Sequence, residues 1–315
     1  MHGAVCNFQP FKTINDHTYT FFSGSACPRW LDRHNIRHHG HVNTARDTVR
    51  TLPCPPATAV RDCSTLATLG RPTWVSRLTR HFLSGLQDKH TNPFLRLHPS
   101  QPKRWWYGYQ HWYFPVLAAM NTLFNQFTHF KYMMVTPHDK GNMRLSCRVR
   151  YYAAFATWLT FAYVIPVRVL GFRNALWPCF VFQAAGSLCA TYNIIINHVF
   201  EMAHTSTESY GQSWAKMSVA GSCNHHAGSM LATYLSGGLN HQIEHHMFPA
   251  VAVHHFPLIA HKIQAICAKH KVPYHSISYT RLVASCHTTL KKYGNCEPTA
   301  HLPGLGDYQS LMDGD

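Results

Sequence analysis

Eleven cysteines run from Cys6 to Cys296, yet no two of them form a C-x-x-C pair. That absence argues against a zinc ribbon, a thioredoxin-like redox site or a small disulfide scaffold, and a reducing, cytosol-facing environment fits best. Acidic residues are scarce too. Thirteen Asp and Glu against 28 Lys and Arg leave a net charge of +15 with histidine neutral. Such a balance suits nucleic acid, an anionic membrane surface or an acidic protein partner. No RNP signature, zinc-finger spacing or basic heptad region accompanies it, so the membrane and acidic-partner readings rise. Met1 to Pro10 lacks both the basic and the apolar region of a secretory signal and reads as the middle of a longer sequence.

Charge is absent altogether from three stretches: Trp105 to Phe130, Tyr151 to Val167 and Asn174 to Phe200. The last two are the better membrane spans. Arg150 and Arg168 stand where they can snorkel from the ends of the first, and the short turn Leu170 to Arg173 makes the two a helical hairpin. Trp105 to Phe130 is aromatic but carries Gln110, Asn121, Asn125 and Gln126, which suits an interfacial or partly buried helix. Between Thr44 and Asn92 there is no sustained periodicity, and the segment reads as a long loop or insertion. The Pro- and Gly-containing tail from Asn295 reads as disordered.

What is present in excess is histidine, 26 residues of it. Imidazole is mostly neutral at physiological pH and is the commonest protein ligand for iron, zinc and copper, so the surplus points to a polynuclear metal site. Two clusters carry the signal. In Gly237-Gly238-Leu239-Asn240-His241-Gln242-Ile243-Glu244-His245-His246, helical spacing puts Gln242 on one face with His245 and His246. Adjacent histidines diverge by about 100° on a helix, so His245 and His246 serve two metals, or one metal from two sides. In Trp30 to His39, His34 and His38 share a helical face with His39 beside them, and the double-histidine design repeats.

These residues resemble the front-end fatty-acyl and sphingolipid desaturases. Gln242-Ile243-Glu244-His245-His246 is similar to their third histidine box, with Gln in place of the first His, and His34 to His39 is similar to their second. Pro93 to Leu97, Trp105 to His111, Asn197-His198 and Cys267 to His270 resemble family landmarks in family order, so the likeness covers roughly residues 1–44 and 93–292. Met1-His2-Gly3-Ala4 resembles the end of the first box, with the rest of that box expected upstream of Met1. The chain departs from the pattern there. It also lacks a His-Pro-Gly-Gly haem motif, and its segment 45–92 exceeds the family connector.

The resemblance implies an all-α, helical integral membrane protein with a cytosolic histidine-rich cap, in the endoplasmic reticulum. Residues 1–44 would hold a first-box remnant and the second box, 45–92 a loop or insertion, 93–292 the membrane and catalytic region, and 293–315 the tail. It implies two iron ions held by His2, His34, His38, His39, His198, His245 and His246, with Gln242 weak or water-mediated. Asp32, Asn43, Asn197, Asn240 and Glu244 are candidates to orient those ligands through their other nitrogens. His225, His226, His254 and His255 read as surface or supporting residues. The implied reaction is O2-dependent insertion of a cis double bond into a long-chain acyl lipid or acyl-CoA, with electrons from cytochrome b5 and its NADH-dependent reductase. A di-iron hydroxylase would use the same boxes, and a membrane remnant without function is the non-enzymatic reading.

Overall fold

The computed structural model describes residues 38–39, 94–97, 101–135, 145–203 and 213–298. His2, His34, Asp32, Asn43, the segment 45–92 and the last residues of the tail lie outside the described residues. What is described is mainly helical. A 3-10 turn, Trp105–Tyr109, leads into the long helix α1, Gln110–Val135. Helix α2, Leu145–Leu159, continues through one π turn, Thr160–Val164, into α3, Ile165–Leu170. Gly171, at φ 76°, turns the chain into α4, Phe172–Ile195. That value lies in the region only glycine enters without strain.

Helix α4 is apolar on the outside and small or polar on the inside. Its buried residues recur every fourth position: Ala175, Cys179, Gln183, Ser187, Thr191 and Ile195. Leu176, Trp177, Phe180, Val181 and Phe182 point outward, exposed. This inverts the water-soluble pattern and matches helices in lipid, where small and polar side chains face protein because the tails already satisfy apolar ones. The inward stripe meets α1: Ser187 Oγ donates to the Ala118 carbonyl at 2.6 Å and accepts from Thr122 N–H at 2.9 Å, and Asn121 Nδ2 donates to Thr191 Oγ1 at 3.0 Å.

The expected pairing of 151–167 with 174–200 holds next to Gly171, where Tyr163 meets Gln183 and Cys179 meets the Ala162 carbonyl. Further along, α4 lies on α1. Only one helix among the described residues, Arg148–Leu170, is long and apolar enough by composition to cross a membrane, with a mean hydropathy of 1.5. The expected span 174–200 does not meet that measure; Gln183, Ser187 and Thr191 on its inward side, with Asn193 outside it, lower its hydropathy.

The rest of the chain builds on the end of this layer. Helix α5, Trp214–Ala220, precedes strand β1, Cys223–His225; then come α6, Met230–Ser236, a 3-10 turn, Leu239–His241, and α7, Gln242–Met247. A second 3-10 turn, Val253–His255, opens α8, Phe256–Lys269, followed by β2, His275–Ile277, and α9, Tyr279–Asn295. Helix α9 continues past the tail boundary expected at 293. The strands pair in parallel, Cys223 opposite His275. One core joins both ends of the helical layer: Phe114 and Ala118 of α1, Ile195 at the end of α4, and Leu282, Cys286 and Leu290 of α9. Fully buried Arg96 locks it from below, its guanidinium donating to the carbonyls of Gln101, Tyr293 and Cys296. The start of α1 and the close of α4 are thereby held at the same end of the molecule, which is where the histidines gather.

Candidate metal centre

Two consecutive left-handed glycines, Gly237 at φ 63° and Gly238 at φ 88°, end α6 and re-aim the backbone. A Cβ on Gly238 would come within 2.7 Å of the Val253 side chain, so the turn requires glycine for space as well as for dihedral. The chain then enters α7, six residues long, which carries Gln242, Glu244, His245 and His246, all buried. His198 follows the end of α4. Asn197, beside it, donates from Nδ2 to the carbonyls of Asn193 at 2.7 Å and Leu239 at 2.9 Å, tying α4 to the turn that opens α7. His39 is held from α5, where Trp214 Nε1–H donates to its carbonyl at 2.8 Å.

These pieces bring imidazoles from far-apart positions together. Ligand atoms of His38, His198 and His246, all buried, lie within 4.8 Å of one another. The ring of His38 stands 4.7 Å from that of His198 and 4.7 Å from that of His246. His39 stacks on His246 at 4.4 Å and lies 4.8 Å from His245. Gln242 Nε2 is 2.9 Å from both His198 Nε2 and His246 Nε2, and those two nitrogens are 3.2 Å apart. Turning the amide over would present its oxygen to the same point.

The donor set fits a metal ion. Two nitrogens bound to one ion at about 2.1 Å, with angles between about 90° and about 109°, stand roughly 2.9 to 3.4 Å apart, and the spacing of His198 and His246 falls in that range. His198 Nδ1 faces the Gly221 carbonyl at 3.1 Å, which makes Nδ1 the protonated nitrogen and leaves the Nε2 lone pair aimed at the cluster. Burial, and then the neighbouring imidazoles of His38, His198, His39 and His245, hold His246 well below the ordinary histidine range. It is neutral near pH 7, the state a ligand needs.

The opposite side of α7 carries a carboxylate network. Glu244, fully buried, accepts from Asn224 Nδ2 at 2.7 Å and Tyr274 OH at 2.8 Å, and His241 Nδ1 lies 3.3 Å away. Asn224 also donates to the Tyr274 oxygen at 2.8 Å and accepts the N–H of Ile243 at 2.9 Å. Burial and Glu244 both raise the Tyr274 phenol, keeping it protonated.

Of the expected ligands, the structure gathers His38, His39, His198, Gln242, His245 and His246, while His2 and His34 lie outside the described residues. Among the expected orienting residues, Asn197 reaches Gln242 at 3.5 Å, but Asn240 and Glu244 hydrogen-bond to none of the ligand rings. Asn240 is spent on the turn after α6, through Ser236, Thr233 and the His226 carbonyl, and Glu244 faces away because it stands two residues, about 200°, from Gln242 and His246. The partner that orients His198 is a backbone carbonyl, which no side-chain pattern announces. Of the four histidines read as surface or supporting, His226, His254 and His255 are exposed. His225 instead lies buried in β1, its pKa lowered to about 4 by burial, then His226 and His241. Asn224, His241 and Tyr274 were missed; His241, one residue before the third box, carried the nearest signal.

Lipid-type helices and a buried imidazole cluster define a helical protein of membrane type with a histidine metal centre as its candidate site. The family model for fatty acid desaturase matches residues 78–278, and the chain belongs to that family. His198, Gln242, His245 and His246 fall inside the match. The chain is 26% identical over 308 residues to Delta(5) fatty acid desaturase A of Dictyostelium discoideum, covering 93% of this chain and 58% of the relative. It is 28% identical over 278 residues to an acyl-lipid (8-3)-desaturase of Mortierella alpina, covering 87% and 55%. Against fatty acid desaturase 3 of Bos taurus the figures are 28% over 201 residues, 62% and 42%. The chain thus spans about half the length of the curated relatives it matches. No solved structure matches it significantly.

Proposed function

We propose that the chain is the greater part of a front-end fatty-acyl desaturase, inserting a cis double bond toward the carboxyl end of a long-chain acyl substrate. The observation that carries this is the meeting of His38, His198 and His246, from three separate segments, all buried and with ligand atoms within 4.8 Å of one another. Their proposed task, with His2, His34, His39, His245 and, more weakly, Gln242, is to hold two iron ions. Bound there, iron would supply the oxidant an unactivated C–H bond needs, removing two hydrogens while O2, two electrons and two protons become two waters.

The protein's share is geometry. Neutral imidazoles hold a divalent ion without adding negative charge, and the Gly221 carbonyl keeps the His198 lone pair pointed inward. Electrons would come from cytochrome b5 and its NADH-dependent reductase. The site would open to the cytosolic side of the endoplasmic reticulum membrane, and Lys262, Lys269 and Lys271 offer positive charge for an acidic haem partner. The test is to express the gene's full-length product in a yeast lacking polyunsaturated-acid synthesis, feed defined C18 and C20 acids and analyse products. A new double bond on the carboxyl side of an existing one, absent in His246→Ala, is the expected result. Hydroxylated acids instead, or no His246-dependent product, would overturn it.

A further inference from the structure

A carboxylate taken out of water costs several kcal/mol unless donors replace the lost hydration. Glu244 is fully buried, yet it lies on the side of α7 turned away from the imidazole cluster, where an apolar residue would fill the same space. Its donors come from three places in the chain: Asn224 in β1, Tyr274 just before β2 and His241 in the 3-10 turn. His241 Nε2 faces Gly228 N–H at 3.4 Å, so its proton is on Nδ1 and directed at Glu244.

Helix α7 needs such an anchor. At six residues it is too short to sustain itself, and it is bounded by His241 at φ −109° and by Phe248 at φ −135°, both outside helical geometry. Its rotation about its own axis must therefore be set from the side. A ring nitrogen about 6 Å from a helix axis moves roughly 2 Å when the helix turns by about 20°, a full metal–nitrogen bond length. Hydrophobic packing is non-directional and tolerates such a turn, whereas hydrogen bonds of 2.7 and 2.8 Å on the two oxygens of one carboxylate do not. Asn224 grips α7 twice, at the Glu244 carboxylate and at the Ile243 N–H, and the pairing of Cys223 with His275 sets Asn224 and Tyr274 on either side of one rung of the strand ladder.

We infer that Tyr274 and Asn224 are positioning residues for His245 and His246, acting through Glu244 to set the rotation of α7. This rests on the reading of the imidazole cluster as a metal site. The two-stranded ladder is then the frame that carries both donors to one carboxylate.

Tyr274→Phe keeps the ring and deletes one oxygen. The full chain, purified in detergent, is titrated with Co2+ and its visible absorption recorded, because the cobalt bands report ligand geometry as well as occupancy. Tyr274→Phe is expected to weaken Co2+ binding about 10- to 100-fold and to shift the bands. The control is Tyr113→Phe, which removes the hydroxyl donating to the Phe94 carbonyl at 2.6 Å, outside the cluster. It should lower the melting temperature without moving Co2+ affinity or spectrum. Wild-type affinity and bands in Tyr274→Phe, with binding still abolished by His246→Ala, overturn the positioning role and leave the metal site standing. Equal losses in Tyr113→Phe overturn it as well, since the effect would then be general stability. A wild-type chain that takes up no Co2+ overturns both readings.

Discussion

Replacing Asn197 by aspartate changes one NH2 group to an oxygen at constant shape. Its amide nitrogen donates to the carbonyls of Asn193 and Leu239 and lies 3.5 Å from Gln242 Oε1, while its own oxygen is buried with no partner among the described residues. The side chain's value is therefore all in its donor end. Asn197→Ala strands two partly buried acceptors, at roughly 1 to 3 kcal/mol each when a partner is deleted, so a loss of about 3 kcal/mol is expected. That corresponds to a melting temperature lower by roughly 6 to 12 °C, at about 2 to 4 °C per kcal/mol for a chain of this size class. Asn197→Asp should be worse than Asn197→Ala, because it buries a new acceptor against three existing ones. Thermal unfolding of both variants in detergent, followed by tryptophan fluorescence, gives the order directly. If the aspartate variant melts above the alanine variant, or with the wild type, the assignment of Asn197 as the tie between α4 and α7 is wrong.

Gly238→Ala meets both a left-handed backbone and the Val253 side chain, so a loss of about 2 kcal/mol or more and a weaker metal site are expected; melting and Co2+ titration check both. Trp214→Phe removes the donor to the His39 carbonyl and should cost only about 0.5 to 1.5 kcal/mol while lowering metal affinity, which the same pair of measurements separates. Ser187→Val breaks two bonds between α4 and α1 and should destabilise by about 1 kcal/mol in micelles; a stabilised variant would contradict the lipid-type packing of those helices.

How much was legible in the sequence varied by kind of contact. His245 and His246 announce themselves because adjacent histidines after a Gln at helical spacing are rare by chance, and His38 and His39 repeat the device. Their meeting with His198 followed from family order and could not follow from spacing, since it depends on where α4 ends. The partners that orient the cluster were mostly illegible. A backbone carbonyl such as Gly221 has no residue signature, and Tyr274 is brought to Glu244 only by the pairing of β1 with β2. Glu244 was expected among the residues that orient the ligand rings, but helical geometry turns it away from them, toward Asn224 and Tyr274. In α4 the absence of charge pointed to a span, and Gln183, Ser187, Thr191 and Asn193 lower its mean hydropathy, which alone does not.

The central claim is that His38, His198 and His246 hold iron. Metal analysis of anaerobically purified, full-length protein by plasma mass spectrometry, alongside His198→Ala and His246→Ala, tests it directly. Iron bound to the wild type and reduced by at least one equivalent in either variant, with helix content by circular dichroism unchanged, is the expected result. Stoichiometric zinc in active protein, or iron that stays put in both variants, would contradict it.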